Sequence, residues 1–291
     1  KGIDPRDHKR DEQESARQAN NLNKNTFQKV AKSYISENQP SWSSEVTKKQ
    51  WPNSLRDYVY PIIGSKPVHL ITIHDVLSVL RPIWSEKNTT ARRVRSRIEN
   101  ILDYSTTLEM REGNNPAVWR GNLKMVLPAP SKLHKIKPHP AIPYNELHDF
   151  LVELRSRKGV GARALEFTIL TGSRTRPLLL AKWEDIDFDN SIWNCPEGNM
   201  KSRKFFRIPL CEPAMEIIHN QRKTSRGEYI FGHEQTGKMS SNNCMLYTIY
   251  RMGHKGKVTT HGMRSTMRDW AGETTKYSER IVEVCLDHMV N

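Results

Sequence analysis

Residues 191–210 read SIWNCPEGNMKSRKFFRIPL. Two short runs rich in β-branched and aromatic residues, SIWNCP (191–196) and KFFRIPL (204–210), flank the polar stretch EGNMKSR. This pattern predicts an antiparallel hairpin. On both sides of it the apolar period changes to that of a helix. Upstream, Leu147, Phe150, Leu151 and Leu154 recur at helical spacing over 144–157, and further helices are predicted over 161–171 and 177–183. Downstream, helices are predicted over 212–223, 240–252, 260–271 and 278–288, with a short EYIF run between the first two. The second half therefore reads as α+β, with helices around a small antiparallel sheet. No self-similar period of a solenoid or propeller is visible.

Working outward, the first half reads as helices only. Phe27, Val30, Ala31, Tyr34 and Ile35 follow an Asn25/Thr26 cap. A second helix is predicted over 44–60, ended by Pro61 and Gly64. A third starts at Thr72, with Asp75 completing an acidic capping box, and Pro82 is expected to kink or end it. A fourth begins near Thr89 or Thr90, with Ala91, Val94, Ile98, Ile101 and Leu102 as its buried stripe. Between the halves lies LPAPSKLHKIKPHPAIP (127–143), with five prolines and three lysines, Lys132, Lys135 and Lys137. Proline fixes φ and removes donors, so this is a semi-stiff basic connector. The class is mainly α with a small antiparallel β-sheet. Two domains are expected to close like a clamp about the connector.

Charge narrows the function. The 291 residues carry 46 Lys+Arg against 32 Asp+Glu, a formal net charge of +14. The excess is concentrated in residues 1–140, with 24 basic and 14 acidic side chains. Arg92, Arg93, Arg95 and Arg97 fall on or beside the polar arc of the fourth helix and, with the connector lysines, form the expected DNA-backbone surface. No apolar run approaches the ~20 residues of a membrane-spanning helix. The N-terminal KGIDPRDHKRDEQESARQ does not read as a signal peptide. The four cysteines, Cys195, Cys211, Cys244 and Cys285, form no CxxC pair, which disfavours a zinc ribbon or a disulfide scaffold. A soluble cytoplasmic protein with a polyanionic partner is the expectation. Trp42, Trp51 and Trp84 read as core residues rather than base-stacking platforms.

Five polar residues stand apart. Arg174 follows the apolar EFTILTGS, where a helix ends and the chain turns. Lys201 sits in the hairpin turn. His261 and Arg264 lie at i and i+3 of a helix start and so share a face, with Arg268 beyond them on that face. His288 ends the last predicted helix. Two guanidinium forks, one ammonium and two imidazoles, without a partnering carboxylate cluster, suit an anion such as phosphate. No Gly-rich phosphate loop and no Asp pair for Mg²⁺ accompany them, which argues against nucleotide hydrolysis and two-metal nuclease chemistry.

In order, Arg174 in TGSRT, Lys201 in MKSRKFFRIPL, His261 and Arg264 in THGMRSTMRDWA, and His288 in VCLDH resemble the tyrosine recombinase, or phage integrase, family. WPNSLRDYVYPIIG, RPIWSEK and RRVRSRIENILDY in the first half resemble the core-binding domain of prophage and genomic-island integrases. The resemblance implies a linker remnant over 1–24 after an arm-binding domain. It further implies a helical core-binding domain over 25–127, a linker over 128–143 and a catalytic domain over 144–291.

The activity implied is site-specific DNA recombination through a 3′-phosphotyrosine, with neither metal nor cofactor. By resemblance, Arg174 and Arg264 clamp the nonbridging phosphate oxygens and Lys201 protonates the leaving 5′-oxygen. His261 assists proton transfer at the nucleophile, and His288 hydrogen-bonds the phosphate. The partners implied are double-stranded attachment sites, a homotetramer of the full-length protein on DNA, and an excisionase or host DNA-bending protein. These 291 residues by themselves are expected to be monomeric. The family's nucleophile lies beyond the second His, so it is expected to be absent from these residues, leaving them inactive in cleavage. Tyr277, which precedes His288, is not read as a substitute. Many relatives carry an acidic residue shortly after the first Arg, where this chain has Arg176 and Pro177. Island integrases often have His at Phe206. A non-catalytic DNA-binding protein of the same fold, a type IB topoisomerase and a telomere resolvase are the competing readings.

Overall fold

The computed structural model describes residues 22–129, 138–200 and 204–288. Lys132, Lys135, Lys137, Lys201 and the expected remnant up to residue 21 lie outside the described residues. The chain divides into two compact units, Lys1–Ile136 and Lys137–Asn291.

The first unit is built from helices α1 (Phe27–Asn38), α2 (Glu45–Tyr58), α3 (Tyr60–Ile63), α4 (Ile73–Trp84) and α5 (Asn88–Thr107). Thr26 caps α1 by accepting from the Lys29 N–H, and Ser44 caps α2 by accepting from Thr47. The helix predicted over 44–60 breaks at Val59 and restarts as α3, which takes Pro61 in its first turn, where a missing N–H costs nothing. At the start of α4 the Asp75 carboxylate accepts from both the N–H and the hydroxyl of Thr72, each at 2.8 Å. Pro82 does not end α4. Val79, Leu80, Ile83 and Trp84 around it are all buried, and that burial outweighs one lost helical hydrogen bond. The α5 stripe Ala91, Val94, Ile98, Ile101 and Leu102 is fully buried and packs against α1, α2 and α4. Trp84 lies in the core and donates to the Pro128 carbonyl at 2.9 Å. Trp42 and Trp51 stack on each other with centroids 5.0 Å apart.

The second unit is arranged around one helix. Its elements are α6 (Leu147–Ser156), α7 (Val160–Thr171), α8 (Thr175–Leu179), β1 (Ile186–Asp187), β2 (Ile192–Cys195), β3 (Phe206–Pro209), α9 (Glu212–Thr224), α10 (Cys244–Arg251), α11 (Gly262–Thr274) and α12 (Glu279–Cys285). Helices α6, α8, α9, α10 and α11 all pack on α7. That explains why ALEFTILT is apolar nearly all round, since a helix surrounded by partners needs no polar face. Its one buried carboxylate, Glu166, is held by Arg155 at 2.6 Å and Arg163 at 2.7 Å. The predicted hairpin is present with register Trp193↔Ile208 and Cys195↔Phe206, and a two-residue strand β1 extends it to the order β1-β2-β3. Trp193, Cys195 and Ile208 point into the core.

Residues 140–142, the end of the Pro-rich stretch, lie against α11. Thr259 N–H donates to the Pro140 carbonyl at 3.0 Å and the Thr266 hydroxyl to that of Ile142 at 2.6 Å. A Cβ at Gly262 would stand 1.9 Å from the Pro140 oxygen, so only glycine fits between His261 and Met263.

Candidate active site

Helix α7 ends at Gly172, in the left-handed region with φ 62°. A Cβ there would also stand 2.5 Å from the Met267 sulfur, so any other residue would have to push that side chain aside. The turn delivers Arg174 to the N-cap of α8. Across from it, α11 begins at His261 and carries Arg264 in its first turn, only 4% exposed. After α12 the chain makes a left-handed step at Asp287, φ 51°, and delivers His288. Three helix ends from distant parts of the sequence thus meet.

Side-chain bonds tie them together. Arg264 Nη1 donates to the Gly172 carbonyl, and Nη2 to the Leu286 carbonyl and to His288 Nε2, the last at 3.2 Å. Its buried Nε has no partner among the described residues. A guanidinium can only donate, so His288 Nε2 accepts and the ring proton sits on Nδ1, facing the Glu283 carboxylate. Arg174 Nη1 donates to the Asp287 carboxylate and Nη2 to the Asp287 carbonyl at 2.8 Å. Glu283 in turn accepts from Arg268 Nε at 2.7 Å, and Arg268 also pairs with Glu279 at 2.6 Å. Arg268 is therefore engaged in a helix-surface salt-bridge network.

The electrostatics follow from this crowding of cations. Burial, then the nearby Arg174 charge, pushes Arg264 down to about 10. Burial of the His261 ring, then His139, Arg264, Arg174 and His288, hold its imidazole below the usual value of 6.5. The His139 ring lies edge-on to His261 with centroids 4.6 Å apart. Glu283 is held below the usual carboxylate range by its bond to His288 against the opposing effect of burial, with Arg268 adding to the lowering. The space between Arg174, Arg264, Cys195, Phe206 and Asp287 encloses only about 10 Å³, roughly one water molecule.

The structure thus brings together Arg174, His261, Arg264 and His288, while Lys201 lies outside the described residues. The expected absence of carboxylates is corrected. Glu283 and Asp287 stand directly against the cluster, and both were missed although they share the VEVCLDH stretch with His288. His139 was hidden in the connector.

The expected four-arginine arc on α5 is also corrected. Arg92 and Arg93 are exposed. Arg97 is buried, donates to the Gln50 carbonyl at 2.9 Å and to the Ser54 hydroxyl, and lies over the Trp51 ring at 5.2 Å. Arg95 is half-buried and pairs with Glu99 at 2.7 Å and the Ala117 carbonyl at 2.9 Å. The helix turns these two toward its neighbours, so they bind protein rather than face outward. Glu99, one turn beyond Arg95 on the same helix, neutralises its charge.

Comparison with known proteins gives the following. Residues 27–122 match the phage integrase central domain and residues 144–289 the phage integrase family. Prophage integrase IntZ of Escherichia coli K12 is 30% identical over 266 residues, covering 90% of this chain and 64% of that protein. The integrase of Enterobacteria phage P4 is 28% identical, covering 99% of this chain and 66% of that protein. The chain therefore spans about two thirds of the length of these curated relatives. Among solved structures, a lambda integrase (75–356) dimer bound to a COC' core site superposes with a TM-score of 0.73 at 16% identity, over 91% of this chain and 96% of that one. The Tn1549 transposon integrase (82–397) in complex with circular intermediate DNA gives 0.70 at 14% identity, over 91% and 92%.

Proposed function

The chain belongs to the phage integrase family, and from that premise we propose that it is the core-binding and catalytic portion of a site-specific DNA recombinase. The observation that carries the reading is the meeting of Arg174, Arg264, His261 and His288 at three helix ends, with an unpartnered buried Nε on Arg264. A buried donor without an acceptor is costly, and a phosphate oxygen would satisfy it.

The reaction is two successive transesterifications. A tyrosine hydroxyl attacks the scissile phosphorus, the P–O5′ bond breaks, and a 3′-phosphotyrosine and a free 5′-hydroxyl result. The 5′-hydroxyl of a partner strand then attacks that ester and releases the tyrosine. No tyrosine lines the Arg174–Arg264 pocket among the described residues. Arg174 and Arg264 stabilise the charge that builds on the nonbridging oxygens of the five-coordinate phosphorus. His261, neutral at pH 7 because its surroundings disfavour the cation, is suited to accept the tyrosine proton. His288 hydrogen-bonds the phosphate, its ring oriented by the bond between Nδ1 and Glu283. Lys201 protonates the leaving 5′-oxygen. Arg92, Arg93, Lys132, Lys135 and Lys137 hold the DNA backbone. The full-length protein acts as a tetramer on its attachment sites, with an excisionase or host DNA-bending protein setting direction. Its place of action is the cytoplasm, on nucleoid DNA.

The test is formation of an SDS-stable protein–DNA adduct by the full-length protein on a duplex carrying the joined ends of its element. Adduct linked through the 3′-phosphate supports the reading. Tight, specific binding without any adduct would instead make the chain a DNA-binding protein of the same fold.

A further inference from the structure

Arg174 receives no acidic partner from its own helix, where the next residues are Thr175, Arg176 and Pro177. Its carboxylate comes from 113 residues away, through Asp287. Asp287 holds both ends of the guanidinium, with its side chain on Nη1 and its own carbonyl on Nη2. The position is one that glycine and, after it, Asn and Asp adopt most readily. The chain there is left-handed, φ 51°, just past the end of α12, where glycine is the residue of least cost. Its carboxylate is only 11% exposed and is engaged with Arg174.

Resting on the recombinase reading above, we propose that Asp287 is the positioning residue for Arg174. It sets the guanidinium plane for the scissile phosphate and couples that setting to the turn that delivers His288. The donor arithmetic allows this. A guanidinium has five N–H bonds, and Asp287 takes one from each terminal nitrogen, leaving Nε–H and two others for a phosphate. Asp287 lines the same space as Arg174 and Arg264, so its charge offsets the repulsion between the two arginines before DNA arrives. Because Asp287 and His288 are adjacent, displacement of the Asp287 turn would misplace one fork and one imidazole at once.

The experiment uses the full-length protein and a nicked duplex of the joined-end junction, from which cleavage is single-turnover. Asp287→Asn keeps size and one acceptor but removes the charge. Its cleavage rate is expected to fall about ten- to a hundredfold, with DNA affinity within about twofold of wild type. Asp287→Glu should recover part of the rate. Arg174→Ala and the Arg174→Ala/Asp287→Asn pair should cleave at the same residual rate, because Asp287 acts only through Arg174. A melting curve on each variant separates loss of the fold from loss of positioning. Wild-type cleavage with an unchanged or faster Asp287→Asn rate would overturn the inference, as would fully additive effects of the two substitutions. Absence of adduct with the wild-type protein would instead overturn the recombinase reading on which it rests.

Discussion

His261 stands beside two arginines and two histidines, and its protonation reports on them. In the unfolded chain the imidazole takes its proton near 6.5, whereas in the folded site it does so at lower pH. As pH falls below 6.5 the unfolded chain therefore binds the proton first. The stability that a neutral His261 contributes is complete above that value and is lost as pH falls toward the folded one. An NMR titration of the His261 ring should give a midpoint below 6.5 that rises in Arg264→Ala, and a midpoint at or above 6.5 would remove His261 as a base at neutral pH. Of this cluster, His261 and Arg264 were legible because i and i+3 on a helix is a local relation. Glu283 and Asp287 were not read, although both precede His288 within five residues. A charge in a helix tail gives no local sign of whether it faces solvent or an arginine from another element. Only the meeting of α8, α11 and α12 turns these carboxylates inward.

At the scale of elements, α5 shows where a periodic pattern stops being informative. Its stripe was readable residue for residue, since burial on one face leaves a 3.6-residue period. The polar side carried no such sign for Arg97, because whether it faces water or a neighbouring carbonyl depends on a helix 40 or more residues away. Arg97→Ala leaves the Gln50 carbonyl and Ser54 hydroxyl without their donor and opens a gap beside Trp51, so it should cost about 1–3 kcal/mol of stability in a urea titration. Arg92→Ala and Arg93→Ala should change stability by no more than ~0.5 kcal/mol. An Arg97→Ala protein as stable as the parent would mean that this buried contact carries no weight. The start of α4 gives a second test. Burial raises the Asp75 carboxyl, but the bonds from Lys66 and Thr72 more than offset it and leave the group below 3.8. Its contribution is then complete above the unfolded value and is lost as pH falls through the folded one. Asp75→Asn should flatten the loss of stability below about pH 4 measured by urea unfolding, and an unchanged acid limb would contradict it. The hairpin strands β2 and β3 were predicted within one or two residues. The two-residue β1 was not, because so short a strand has no period.

For the whole molecule the net charge of +14 predicts DNA binding that weakens steeply with salt. Each phosphate contact adds about 0.9 to the slope of log affinity against log salt, so replacing Arg92 and Arg93 together should flatten it by about 2. An unchanged slope would make α5 a solvated face only. The motifs around Arg174, His261, Arg264 and His288 are local and legible in the sequence. The expectation that these side chains gather on one phosphate rests on the family resemblance, since their meeting depends on how α7 gathers its neighbours. The central claim is that this convergence is a phosphoryl-transfer site, and one measurement addresses it directly. Full-length protein, with and without Arg264→Ala, is incubated with joined-end duplex in EDTA, and SDS-stable adduct is counted over time. The account predicts adduct from the parent and, with a loss of about 2.7–4 kcal/mol of transition-state stabilisation, a rate at least a hundredfold lower from Arg264→Ala. Adduct forming from Arg264→Ala at the parental rate would contradict it.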